Sequence, residues 1–227
     1  MFETFNFLTR HSKKFKKDVK DSKESVEYPG LTQEGVELAR QKAVNEIRSL
    51  VDELPERSIL AIIGVSEAVR AKSTAEIYGD KLKKVYQDDQ DVVVRTKKEI
   101  SEQEKAIDGL KMEMKQNPDK KFVLDFPLFI KEFSLINRWL DKDGKPVPYE
   151  QKLMEAVNND PDQAVIKWVE TDGEIDGVKG AKPLEVAQAY KKGFERLKNF
   201  VEGQTSDRPV FIGGVGHSWI WTFSSLI

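Results

Sequence analysis

The chain carries two histidines, His11 and His217, and no cysteine among its 227 residues. Without cysteine there is no thiolate nucleophile, no thiolate metal site and no disulfide. Two histidines are too few for a multi-histidine metal centre. What remains is the chemistry of imidazole beside arginine. Arg10 directly precedes His11, and Arg70 closes the polar segment Ser66-Glu67-Ala68-Val69-Arg70. Arginine forks match the oxygens of a phosphate, and a helix beginning near Arg70 would add backbone donors. Two arginines and two histidines on one edge of a fold make a site for a dianion. Residues 10–23 hold seven basic residues and only two acidic ones, Asp18 and Asp21. Such a run is either a solvated loop or a local field that draws an anion in.

These side chains need elements to carry them. Residues 5–9 read as a short apolar strand that runs into Arg10 and His11. From Leu31 the apolar residues recur at helical spacing, with Thr32 as cap and Pro55 as stop. Residues 58–65 form a nearly continuous apolar run, as in a strand buried on both faces. Residues 68–82 are helical again, residues 92–95 a third strand and residues 209–215 a fourth, with His217 just after it. Strands alternating with helices predict an α/β protein, three layers α/β/α around a mostly parallel sheet. Residues 99–116, 127–140 and 183–201 read as helices, 141–146 as a turn and 171–180 as a loop. The expected organisation is one domain over 1–227, with a helical insertion at about 99–182 before the last strand. Both histidines then fall at C-terminal strand ends, the edge where open parallel sheets bind ligands.

Composition narrows the classes further. The chain is 39% apolar and 33% charged, with a formal charge of −2, which suits a globular protein and does not suit a nucleic-acid binder. No apolar run approaches the ~18 residues of a membrane span. The first residues lack the basic and apolar regions of a signal peptide, so a cytoplasmic protein is expected. No metal and no cofactor are called for, and the pattern specifies no oligomeric state.

The motifs, in order, resemble the histidine phosphatase superfamily, the phosphoglycerate-mutase-like proteins. That family opens with a strand ending in Arg-His-Gly, matched here by Leu8-Thr9-Arg10-His11-Ser12. Its Leu-Thr-x-x-Gly helix start is matched by Leu31-Thr32-Gln33-Glu34-Gly35, followed by Ala39. Its Ser-Pro-x-x-Arg-Ala-x-x-Thr-Ala motif is matched by Ser66-Glu67-Ala68-Val69-Arg70-Ala71-Lys72-Ser73-Thr74-Ala75. Ile100-Ser101-Glu102 matches Leu-x-Glu, and Gly216-His217-Ser218 matches the last histidine motif.

The resemblance implies a metal-independent phosphomonoesterase with a phosphohistidine intermediate. His11 would be the nucleophile. Arg10, Arg70 and His217 would hold the phosphoryl oxygens. Glu102 would be the general acid and base, with Glu67 as the alternative. Lys17 would also face phosphate, although it stands where many mutases have asparagine. Ser12 stands in place of the family's glycine, and Glu67 in place of its proline. These departures keep open a non-catalytic binder of phosphorylated ligands, and a phosphomutase is a third reading. The substrate would be a small phosphorylated molecule or a phosphopeptide. Trp219, Trp221 and Phe223 would pack down a short final helix.

Overall fold

The computed structural model describes residues 6–10, 12–13, 23–64, 68–102, 106–126, 132, 147–205 and 208–216. Contacts divide the chain into two compact units, 1–129 with 197–217, and 130–196 with 218–227.

The first unit is built on five strands: β1 (Asn6–Arg10), β2 (Ile59–Gly64), β3 (Val92–Arg95), β4 (Lys121–Asp125) and β7 (Val210–Gly216). Their order is β1-β7-β2-β4-β3, and every pairing is parallel. Register sets which residues share a face. Leu60 lies opposite Val123 and Phe211, and these join Ile62, Val92, Val94 and Val215 in one buried cluster. The intervening residues Ile59, Ala61, Ile63, Phe122, Leu124 and Ile212 point to the other face and are buried as well. A sheet buried on both sides needs helices on both sides.

On the first face lie α1 (Gln33–Lys42), a π-helical turn (Ala43–Ile47), α2 (Arg48–Glu53) and α3 (Val69–Val85). The π-helical turn follows from the apolar spacing. Gly35, Ala39, Ala43, Ile47 and Val51 are all buried and recur every four residues. At 3.6 residues per turn each such step drifts by about 40° around the helix, and the wider π turn takes back that drift. On the second face, α5 (Ala106–Gln116) is tied to β3 by Arg95 Nε to Glu113 Oε2, 3.0 Å. There too Phe200 of α8 (Pro183–Thr205) meets Phe126 edge-on, with ring centroids 6.2 Å apart. The expected α/β class, three layers and parallel sheet therefore describe this unit.

Two boundaries differ from the sequence reading. The helix expected to start at residue 99 starts at α4 (Lys97–Glu102). Thr96 and Glu99 form a reciprocal cap, Thr96 N–H to Glu99 Oε2 at 3.0 Å and Glu99 N–H to Thr96 Oγ1 at 3.5 Å. The insertion expected at about 99–182 is the larger correction. β4 falls inside that range and sits in the middle of the sheet, between β2 and β3. The second unit begins at residue 130 and its central stretch runs to 196. A strand whose apolar part is only Phe122-Val123-Leu124, between Lys121 and Asp125, carries no periodicity that separates it from a helix.

The described part of the second unit contains α6 (Pro148–Ala156), α7 (Pro161–Glu170), the strands β5 (Glu174–Ile175) and β6 (Val178–Lys179), and the start of α8. The segment expected to be a loop is a two-residue hairpin. Asp176 and Gly177 have φ of 49° and 76°, the pattern of an Asp-Gly type I′ turn. The hairpin's return passes over fully buried side chains: Trp168 Nε1–H donates to Ala181 O at 2.6 Å, and Gly180 packs closely against the ring of Tyr149. A Cβ at Gly180 would overlap that ring. Gly180→Ala is expected to lower the unfolding free energy by about 1–3 kcal/mol, the usual cost of overpacking; a urea titration measures it. The helix expected over 127–140 and the turn over 141–146 lie outside the described residues.

Candidate active site

Because all five strands are parallel, their C-terminal ends share one edge. At that edge Arg10 pairs with Gly216, and Val215 pairs with Gly64. The strand ends that lead into His11, into His217 and into residues 65–67 are thus consecutive across the sheet. His11, His217, Lys17, Ser66 and Glu67 themselves lie outside the described residues, and Arg10 is described by its backbone. The segment with Trp219, Trp221 and Phe223 also lies outside, as do residues 14–22 of the lysine-rich stretch.

The chain is described again at Ser12 and Lys13, where two elements, α1 with its cap and α3, hold it. Thr32 caps α1 by accepting the Gly35 N–H at 3.0 Å, and its own N–H donates to Lys13 O at 3.2 Å. Ser12 Oγ–H donates to Gly35 O. A Cβ at Gly35 would overlap the Lys13 carbonyl oxygen, so only glycine lets the chain leaving β1 pass this close to α1. From the other side, Ser12 N–H donates to Thr74 Oγ1 of α3 at 3.1 Å. Thr74 is fully buried, and its hydroxyl donates to Arg70 O at 2.8 Å. Ser12, a departure from glycine in sequence, thus has a specific use: its hydroxyl ties the chain leaving β1 to a carbonyl in the first turn of α1.

Arg70 is the second residue of α3, half-buried, in the turn that follows β2. α3 starts just after the C-terminal end of β2, so the positive end of its dipole lies at this same edge, and Ala68 at the N-cap makes no side-chain cap. The turn before α1 packs on that end, with Ser73 Oγ–H donating to Pro29 O at 2.8 Å.

The carboxylates are distributed differently. Glu102 ends α4, and only its backbone is described. α4 follows β3, and β4 and β2 stand between β3 and β7. At about 4.8 Å per strand, β3 lies ~14 Å from β7. Glu67 is one of the three residues between Gly64 and Ala68, and β2, which they follow, is the neighbour of β7.

The sequence reading passed over a third acid, Asp125, at the C-terminal end of β4 and 2% exposed. Its carboxyl lies against Gly79 of α3, with Oδ2 3.2 Å from where a Cβ would stand. The Lys97 N–H donates to it, while Oδ2 has no partner. Burial first, then the charge of Glu76 and that of Asp80, push its pKa up to about 7, against the pull of the Lys97 N–H and ammonium. An acid at the end of an apolar run gave the only available signal, and that signal does not distinguish a buried carboxyl from a loop residue.

A cavity of about 320 Å³ runs from Ser12 and Tyr78 along Leu38, Lys42, Asn45 and Glu46. Lys42 is paired there with Glu46 at 2.8 Å, so it is a poor receptor for a dianion. Among the described residues, no group of three or more acids or histidines could hold a metal ion, and no helix is long and apolar enough to cross a membrane. No protein-family model matches the chain, and no curated protein matches it.

Proposed function

We propose that the protein is a cytoplasmic phosphomonoesterase that works without a metal, through a phosphohistidine, on a small phosphorylated molecule or a phosphopeptide. One observation carries this: the pairing of Arg10 with Gly216 makes the strand ends before His11 and His217 immediate neighbours, with α3 and Arg70 starting after the next strand. In the proposed reaction a neutral ring nitrogen of His11 forms a bond to phosphorus as the bond to the leaving oxygen breaks. A carboxylic acid gives its proton to that oxygen. Water then attacks the phosphohistidine, the P–N bond breaks, and the carboxylate takes the water's proton. Arg10, Arg70 and His217 neutralise the charge that grows on the equatorial oxygens. The strand order favours Glu67 over Glu102 as the acid, since only Glu67 lies in a connection next to β7.

The expected result is hydrolysis of a chromogenic aryl phosphate that EDTA does not diminish. Rapid quench should trap an acid-labile, base-stable phosphoryl adduct that is absent in His11→Ala. An adduct that survives in His11→Ala would overturn the assignment. The distance of α4 from β7 favours a second reading, a binder of phosphorylated ligands without turnover. Phosphate-dependent thermal stabilisation with no hydrolysis would select it.

A further inference from the structure

We propose that Thr74 is a positioning residue for phosphoryl transfer, locking the peptide that joins His11 to Ser12 onto the turn of α3 that carries Arg70. The inference rests on the phosphatase reading above. It stands on two hydrogen bonds to one buried hydroxyl. Thr74 Oγ1 accepts the Ser12 N–H at 3.1 Å and donates its own proton to Arg70 O at 2.8 Å. Thr74 has no exposed surface, so water cannot replace either bond.

The Ser12 nitrogen belongs to the peptide unit whose other half is the His11 carbonyl. A peptide unit is planar, so fixing its N–H fixes the direction in which the chain leaves the nucleophile. At the far side of the same hydroxyl, Arg70 O is the carbonyl of the residue whose guanidinium would clamp the phosphoryl group. One side chain thereby sets the spacing between nucleophile and clamp. The stretch is also held to α1, by the Ser12 hydroxyl on Gly35 O and by the Thr32 N–H on Lys13 O at 3.2 Å, so loss of Thr74 would let it shift away from α3 without detaching it from α1. Reacting atoms must stay within a few tenths of an ångström, and a displacement near 1 Å costs ~100-fold.

The test uses the full chain, an aryl phosphate and single-turnover kinetics at saturating enzyme, where the rate constant does not depend on the fraction of active molecules. Thr74→Val keeps the shape and removes both hydrogen bonds. It should slow the rate constant by about 30–100-fold. Thr74→Ser restores the hydroxyl and should stay within about threefold of wild type. The dissociation constant for inorganic phosphate should weaken in Thr74→Val, because the clamp is displaced, and recover in Thr74→Ser. If the valine variant does not fold, Thr74→Cys, whose thiol is a weak acceptor, takes its place with the same expected loss. Wild-type turnover matched by Thr74→Val or its cysteine substitute would overturn the positioning role alone. A wild type that neither hydrolyses the aryl phosphate nor binds phosphate would overturn the phosphatase reading and this role with it.

Discussion

Arg208→Met is expected to lower the unfolding free energy by about 3–5 kcal/mol, because it removes several charge-assisted hydrogen bonds, each worth about 1.5–3 kcal/mol, and leaves buried carbonyls unsatisfied. Arg208 is 5% exposed at the entrance to β7. One terminal nitrogen donates to Lys120 O at 2.7 Å and Arg57 O at 3.2 Å. The other reaches Met114 O at 2.9 Å, Asn117 O at 2.7 Å and Pro118 O at 3.1 Å. The guanidinium also lies over the ring of Phe122, 5.1 Å from its centre. Three of these carbonyls belong to the end of α5 and the turn beyond it, where acceptors lack partners and the helix dipole is negative. The other two precede β2 and β4. A single flat cation thus gathers the N-terminal ends of the three central strands. Arg208→Lys should lose roughly half as much as methionine, since one ammonium cannot spread over five acceptors in this fork. Chemical denaturation of both variants measures this, and two variants within 0.5 kcal/mol of wild type, the spread of ordinary surface changes, would show that the five contacts carry no weight. The affected edge is the one opposite the candidate site, about 20 Å away along the strands. Activity per folded molecule should therefore be unchanged.

Asp125→Asn is expected to stabilise the protein, and increasingly so as pH rises. The folded pKa of Asp125 is raised from 3.8 to about 7. Below pH 4 both folded and unfolded chains bind the proton, and the variant and wild type should be nearly equal. Between pH 4 and 7 the unfolded chain has lost the proton that the folded one keeps, so wild-type stability falls as pH rises. Above pH 7 the full difference stands, at most about 4 kcal/mol for a shift of this size. The groups facing the carboxyl explain the direction. From α3 come Glu76 and Asp80, and from α4 comes Lys97, whose ammonium is drawn off toward Glu76 at 3.4 Å. The neighbour in register on β2 is Ile62, which carries no charge. Unfolding free energies of wild type and Asp125→Asn at pH 4, 6 and 8 test this. A gap that is flat across that range would mean that Asp125 stays ionised in the fold.

The parts of the fold legible in sequence were those whose signal is long or chemically specific. β2 announced itself by an unbroken apolar run, and β3 by three valines. α1 was marked by a threonine cap and apolar spacing, although that spacing of four hides a π turn. β4 was not legible, because three apolar residues between a lysine and an aspartate give no period. Its Lys121 is spent on the end of α2, with Nζ donating to Val51 O at 3.1 Å and Asp52 O at 2.8 Å, which no local pattern announces. The hairpin at Asp176-Gly177 was legible in principle from that dipeptide, but two-residue strands offer no alternation to accompany it. At the site, the sequence placed both histidines after apolar strands on one edge, but not the order of the strands across the sheet. The use of Thr74, Ser12 and Gly35 was not legible either, since each contact joins residues 23 or 62 positions apart or depends on the absence of a side chain.

The strand order also governs how the protein is made. β7 pairs with both β1 and β2, yet it is the last of the five to leave the ribosome. About 200 residues separate it from β1, and at ~5–20 residues per second their synthesis takes roughly 10–40 s. For that time β1 waits beside an unfilled position, since among the described residues β7 is its sole partner. The flank of β2 meant for β7 is open too, with apolar side chains on both faces. Sheets closed by such distant pairing fold slowly and offer unpaired edges to other chains meanwhile. High expression should therefore tax chaperones, and a chain stopped before Val210 should aggregate, because it lacks the strand that completes the middle of the sheet.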